Sequence, residues 1–327
     1  MRAWRFHEFG AIENLVLEEV GIPVPNKDEV LLKLNFAALN PADHFLIKGQ
    51  YPRPGTPPFS VGRDGCGTVV EAPADSRFFI GDKVIVLRSD LGVSRSGTLA
   101  EYVCCPEESL APLPGGWRDE EGAAGPLVFL TAWQALVDRG RLKAGETVLI
   151  NGASGGVGSA AILLAKALGA KVVALSGSEK KWPSLHDLGA DMVVDSRSKH
   201  LEQEVKGALG GGRVDLVIEN LGGPFLQKSI NLVSVNGRIC VIGLLAGFQS
   251  EITVGHLIFK CIEIHGLNVG AYTAAESQMA WKKIVAALDD AKQRPIIDSK
   301  FPLGKVQEAF AKLGEGPLGK VVINCQG

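Results

Sequence analysis

Residues 147–158 read Thr-Val-Leu-Ile-Asn-Gly-Ala-Ser-Gly-Gly-Val-Gly. Four apolar or β-branched residues run straight into a glycine-rich turn, and Ser159–Leu168 then has the small and apolar residues of a helix packed on a sheet, closed by Gly169. Strand, tight turn and helix in that order set the positive end of the helix beside the carboxyl end of a buried parallel strand. Such a turn holds the pyrophosphate of a dinucleotide. Gly155 leaves room for backbone amides to approach phosphate oxygens, and Gly158 lets the helix lie close on the strand. Ala153 takes the first glycine position of G-x-G-x-x-G, so the motif is incomplete, and glycine-rich turns also serve plain strand–helix packing.

The next segment narrows the reading. Lys171–Leu175 follows the turn Gly169-Ala170 and completes a β-α-β unit. An acid at the end of this second strand, roughly 20 residues past the glycines, would bind the adenosine ribose hydroxyls and repel a 2′-phosphate. The strand ends instead in Ser176-Gly177-Ser178, with Lys180 and Lys181 just beyond. Small hydroxyls and positive charge predict NADPH as the cofactor, while Glu179 keeps NADH open as the alternative.

The 327 residues allow for about two domains. A hydrophobic content of 46% with 21% charged residues describes a packed globule, and a net charge of −2 gives no electrostatic reason to expect a nucleic acid or an anionic membrane as partner. No apolar run approaches the roughly 20 residues that cross a bilayer. The opening Met1–Phe6 alternates like a strand and lacks a cleavage signal, so a cytoplasmic protein is expected. Six scattered cysteines without a C-x-x-C pair argue against a disulfide framework and a structural zinc site.

From residue 1 to about 125, short alternating runs such as Glu29–Leu34 and Gly67–Glu71 are separated by proline and glycine turns, the pattern of a partly closed barrel. Strand–helix alternation then begins, with strands at Thr147–Ile150, Lys171–Leu175, Met192–Val194, Asp215–Glu219 and Arg238–Ile242, which predicts an α/β fold with a doubly wound parallel sheet. After about residue 270 come a long amphipathic helix, Ala274 to about Lys292, and an isolated strand, Lys320–Asn324, expected to return to the first domain. The domains are therefore drawn as 1–125 completed by 270–327, and 126–269.

Several segments now carry a resemblance: Ala38–Asp43, Gly62–Gly67, Gly81–Val84, Gly97–Tyr102, Leu130–Trp133, the glycine turn, Asn220–Gly223, Gly237–Gly243 and Gly319–Val322. Taken together they resemble the medium-chain dehydrogenase/reductase superfamily, and within it the zinc-independent quinone oxidoreductases of the zeta-crystallin type. The resemblance implies a GroES-like, partly closed β-barrel catalytic domain plus a Rossmann domain with a doubly wound parallel sheet. Zinc-dependent relatives hold their metal through Cys, His and a further Cys or acid. The matching positions here are Asn40, Arg63 and Leu127, none a usual zinc ligand, so no metal is expected. Without a Lewis acid, the resemblance implies hydride transfer from NADPH to an electron-poor acceptor, a quinone or conjugated enone. An enone or 2-enoyl-thioester reductase, and an NADPH-binding sensor or structural protein without turnover, are the competing readings.

By the same likeness, Ser154, Gly155, Gly156 and Val157 take the pyrophosphate and Ser176, Gly177 and Lys181 face the 2′-phosphate. Asn40, Thr131, Asn268 and the loop Ile242-Gly243-Leu244 line the nicotinamide. As alternatives, Asn40 is a turn residue before Pro41, Thr131 a helix cap and Asn268 an edge-strand polar residue. Asn40 and Tyr51 are the residues expected to act in catalysis, Tyr51 by binding or protonating an acceptor oxygen, with surface packing as its competing role. Phe45 stands where some relatives have a second tyrosine, and Arg63 is expected to pair with Asp64 or Asp43. The alternating stretch Leu257–Leu267 suggests one more strand at the sheet edge and a homodimer joined across it, as in relatives.

Overall fold

A computed structural model of the protein describes residues 1–52 and 54–327. It resolves into two units, one formed by Met1–Leu127, Gly270–Trp281 and Arg294–Gly327, the other by Val128–Val269 and Lys282–Gln293.

The first unit is built around the strand Glu29–Ala38, which pairs antiparallel with Asp64–Glu71, Tyr102–Pro106 and Lys320–Asn324. Lys83–Val86 and Leu110–Pro112 extend the sheet on one side, and Ile297–Pro302 lies parallel to the last strand on the other. Lys320–Asn324 returns to this sheet because its middle residues, Val321, Val322 and Ile323, are apolar on both faces and buried, with Val322 opposite Ala38 and Ile323 opposite Ala37. Leu32, Leu34, Val84, Leu99, Val103 and Val321 fill the interior. Gly62, at φ +102°, comes so close to the neighbouring chain that an added Cβ would sit 2.6 Å from Thr98 Oγ1. That approach fixes the entry of Arg63 and Asp64 into the sheet.

In the second unit, six parallel strands lie in the order Met192–Val194, Lys171–Leu175, Thr147–Asn151, Leu216–Glu219, Arg238–Val241 and Glu263–Gly266. The chain works outward in one direction for the first three strands and in the other for the last three. The switch falls between Thr147–Asn151 and Leu216–Glu219, where doubly wound sheets bind ligands at the carboxyl ends of their strands. Val148, Leu149, Ile150, Val172, Val173, Val217 and Ile218 are wholly buried, as a sheet covered on both faces requires.

Three details differ from the sequence reading. Lys282–Gln293, drawn with the first domain, belongs to the second unit. The helix after the glycine turn spans Gly156–Ala167 and so starts three residues before Ser159; glycine lowers helix propensity without forbidding the first turn. The stretch read as one alternating strand splits instead into a helix, Val254–Lys260, and a strand, Glu263–Gly266. Val254, Leu257 and Ile258 are spaced by three and four, the period of a helical face that a reading begun at Leu257 leaves out, and Cys261 in a left-handed conformation (φ 51°) ends the helix.

Candidate active site

Two buried polar clusters organise the molecule, one in each unit. In the second unit Glu219 ends its strand with no exposure to solvent. Its carboxylate accepts from the Asn151 side-chain amide at 2.9 Å, the Ser229 hydroxyl at 2.5 Å, and the backbone amides of Leu221 at 2.8 Å and Gly222 at 3.0 Å. Its carbonyl accepts from Ile242 N–H at 2.9 Å, and Asn220 Nδ2 donates to Asn151 O at 2.8 Å. The Glu219 carboxylate thus ties the carboxyl end of the glycine-turn strand to the loop Asn220–Gly223, while its backbone carbonyl holds the start of the loop Ile242-Gly243-Leu244. Gly243 lies so tightly on Asn220 that an added Cβ would meet its carbonyl at 1.9 Å.

Most residues assigned to a cofactor follow the carboxyl ends of the parallel strands, in the glycine turn, at Ser176-Gly177, in the loop Ile242-Gly243-Leu244 and at Asn268. Gly155 precedes the helix Gly156–Ala167, whose first-turn amides, those of Gly156 and Val157 among them, lie beyond reach of any helical carbonyl. A Cβ on Gly158 would stand 2.3 Å from Gly152 O, so the close seat of the helix on the turn needs a glycine there. Ser154 is partly exposed at the mouth of the turn. Ser176 is buried at the end of Lys171–Leu175; its hydroxyl accepts from Ser178 N–H at 3.4 Å and its carbonyl from Trp182 Nε1 at 3.2 Å. Lys181 closes the short helical turn Glu179–Lys181. Arg197, to which the sequence reading gave no role, lies against Gly177, with its Nε 3.1 Å from the position of an added Cβ. Thr131 is buried in the interior of the helix Pro126–Trp133 and is not its cap, and Asn268 follows the edge strand Glu263–Gly266 by two residues.

The first unit holds the other cluster. Asn40 begins the helix Pro41–Ile47, where its N–H donates to Asp43 Oδ2 at 2.8 Å. Its side chain does not serve the turn. Asn40 Nδ2 donates to Asp64 Oδ2 at 2.8 Å, and Asn40 Oδ1 accepts from Lys320 Nζ at 2.6 Å. Lys320 also meets Asp64 Oδ2 at 2.9 Å, and Leu127 N–H donates to Asp64 Oδ1 at 3.1 Å. Asp64 and Lys320 are 1% and 3% exposed, so this ion pair is shielded from water and salt. Among the described residues Arg63 forms no ion pair with Asp64 or Asp43, contrary to expectation, because Lys320 has taken Asp64. Arg63 Nη1 donates instead to Tyr51 Oη at 2.7 Å, and its guanidinium carbon lies 5.4 Å from the centre of the Tyr51 ring. Asp43 is wholly enclosed, and burial pushes its carboxyl up to about 6 against the pull of the Asn40 N–H and the charges of Arg63 and Lys320. The structure therefore joins Asn40 and Leu127 through Asp64, and Tyr51 to Arg63.

Sequence reasoning missed Lys320 and Glu219 as members of these clusters, named Asp64 only as a partner for Arg63, and gave Arg197 beside Gly177 no role. For Glu219 there was a signal, an acid ending an apolar parallel strand just before two glycines.

The geometry can be set beside that of known proteins. The Alcohol dehydrogenase GroES-like domain model matches residues 26–115 and the Zinc-binding dehydrogenase model residues 156–289. The chain is 33% identical over 328 aligned positions to the quinone oxidoreductase of Homo sapiens, covering 99% of this chain and 97% of that protein. The chain belongs to the quinone oxidoreductase family of the medium-chain dehydrogenase/reductases. It shares this family with the Lama guanicoe quinone oxidoreductase, at 34% identity over 99% of this chain and 97% of the relative. Among solved structures, a mycobacterial protein complexed with NADPH superposes with a TM-score of 0.90 at 26% identity, covering 99% of each chain. A protein described as an NAD-dependent alcohol dehydrogenase superposes with a TM-score of 0.89 at 32% identity, also covering 99% of each chain. The family fold, a GroES-like barrel with a Rossmann sheet, is the one described above, and the protein is an oxidoreductase.

Proposed function

We propose that the protein reduces quinones, or related conjugated carbonyls, with NADPH and without a metal ion. The observation that carries this reading is the pair of buried cations in the first unit. Arg63 stands at one position where zinc-dependent relatives place a metal ligand, and the Lys320 ammonium lies 2.6 Å from Asn40 at another. An amide and a guanidinium are poor ligands for zinc, and the carboxylate beside Asn40, that of Asp64, is already taken up by the Lys320 ammonium. An acceptor reduced at such a site must already be electron-poor.

NADPH supplies the hydride, and the protein supplies orientation and electrostatics. Ser154, Gly155, Gly156 and Val157 bear the pyrophosphate at the helix N-terminus, while Ser176, Gly177 and Lys181, with Arg197 beside them, meet the 2′-phosphate. Thr131, Ile242, Gly243, Leu244 and Asn268 are assigned to the nicotinamide. Asn40, held rigid by Asp64 and Lys320, positions the reactants, and Tyr51 offers a hydroxyl to the acceptor oxygen. The exposed strand Glu263–Gly266 pairs on one side only among the described residues, and Val254, Ile258 and Phe259 of the helix that precedes it in sequence are exposed apolar side chains. We assign this edge to a homodimer. All six cysteines are free thiols, in keeping with a reducing cytoplasmic setting.

The decisive experiment measures NADPH oxidation with a panel of quinones, conjugated enones and no acceptor, on protein whose zinc content has been determined. Turnover with quinones and no stoichiometric zinc is expected. Turnover restricted to unconjugated alcohols, or loss of activity on chelation, would overturn the reading. Arg197→Ala and Lys181→Ala are expected to weaken NADPH far more than NADH, each by about 1.5–3 kcal/mol. Light scattering at micromolar concentration should find a dimer, and Ile264→Pro should disrupt it.

A further inference from the structure

Arg63 is the one buried cation of the first unit that has no carboxylate at hydrogen-bond distance among the described residues, and its bond goes to a phenol. A guanidinium has only donors. When Arg63 Nη1 donates to Tyr51 Oη at 2.7 Å, it occupies a lone pair of that oxygen, and the phenolic hydrogen has nothing to bond to on the arginine. The hydrogen must therefore point away, toward whatever lies on the far side of the ring oxygen. The guanidinium also lies over the ring, 5.4 Å from its centre, which restricts its swing. The arginine itself is held: it is 8% exposed, and Gly62 before it and Asp64 after it are fixed by close packing and by the Lys320 ion pair.

We propose that Arg63 is a positioning residue that orients the Tyr51 hydroxyl as a hydrogen-bond donor to the acceptor's carbonyl oxygen, and that its charge strengthens that bond as negative charge develops there. This rests on the reading of Tyr51 as the residue that meets the acceptor. The position that resemblance matches to a zinc ligand thus carries an organic cation that acts on the substrate oxygen through a phenol. The substrate class that benefits is one whose oxygen gains charge during reduction, such as a quinone.

The test is a double-mutant cycle on Tyr51→Phe and Arg63→Met, with kcat and KM for a quinone and, without cofactor, the dissociation constant of the corresponding quinol followed by tryptophan fluorescence. Each single variant is expected to lower kcat on the order of tenfold or more, with weaker quinol binding and an unchanged KM for NADPH. The double variant should be no worse than Tyr51→Phe alone, since the arginine has then lost the group it acts through. Arg63→Lys, which keeps the charge but loses the planar fork, should recover part of the loss. Multiplying effects in the double variant, or a lower thermal stability for Arg63→Met with kcat unchanged, would overturn the role of Arg63 while leaving Tyr51 in place. A Tyr51→Phe variant with full kcat and unchanged quinol binding would overturn both readings. If Arg63→Met does not fold, the same cycle run with Arg63→Lys decides between coupled and multiplying effects.

Discussion

The two buried clusters solve the same problem in opposite ways. Glu219 is a single buried carboxylate met entirely by neutral donors, a side-chain amide, a hydroxyl and two backbone amides. The first unit instead encloses two carboxylates and two cations, Asp43, Asp64, Arg63 and Lys320. There Asp64 is saturated, whereas Asp43 Oδ1 and Arg63 Nε find no partner among the described residues. Around Glu219 both carboxylate oxygens are engaged, and such saturation makes a scaffold that holds loops in register. Around Arg63 and Asp43 polar capacity is left over, and that surplus is what chemistry can use.

The comparison can be broken at several points. Lys320→Met should have the largest effect: it leaves Asp64 buried without its counter-ion and should cost about 3–5 kcal/mol, read from the urea midpoint. A cost below 1 kcal/mol would show that the Asn40 and Leu127 bonds suffice for Asp64. Asp43→Asn tests the surplus through pH. The carboxyl of Asp43 is raised to about 6 in the folded protein, so the fold holds this proton more tightly than the unfolded chain does. Wild-type stability therefore loses this contribution as pH rises from about 4 to 6, and the asparagine variant, which has no such titration, should gain on it by about 3 kcal/mol across that window. A difference in stability that is flat with pH would contradict the raised carboxyl.

Glu219→Gln probes the saturated cluster. An amide has one acceptor oxygen, so donors now satisfied would face an NH2 group, at a cost of about 2 kcal/mol. The loops it holds should shift with it, weakening NADPH binding measured by fluorescence titration. Ser229→Ala should be the mildest change, about 1 kcal/mol with little effect on cofactor affinity, because three of the carboxylate's donors remain. If Ser229→Ala cost as much as Glu219→Gln, the cluster would depend on a single bond and not on its saturation.

What could be read without coordinates was whatever repeats locally. The strands Lys171–Leu175, Met192–Val194 and Lys320–Asn324 appear within the bounds that their apolar runs suggest, and in the first and last of them burial on both faces leaves a continuous signature in sequence. The glycine turn was equally plain, since backbone room is written directly as glycine. Local pattern failed at Val254–Lys260, where a short unbroken apolar run, Leu257-Ile258-Phe259, can be counted as part of a strand unless the helical partner at Val254 is included.

The site was legible only in part, and the reason is physical. Asn40, Tyr51 and the residues of the glycine turn stand in recognisable motifs, but a motif does not state which partner a side chain will choose. Arg63 had Asp64 next to it in sequence and Asp43 twenty residues before it, and pairs with neither; the Asp64 oxygens are taken by Asn40, by Leu127 N–H and by a lysine from the far end of the chain. Asn40 and Lys320 lie 280 residues apart, and Asn151 and Ser229 meet only at Glu219. Sequence by itself determined the alternation of elements, the glycine turn and the charge of the groups available. The tertiary structure alone decided which charges neutralise one another and which remain to act, because pairing in a buried site is settled by long-range competition for a few enclosed partners.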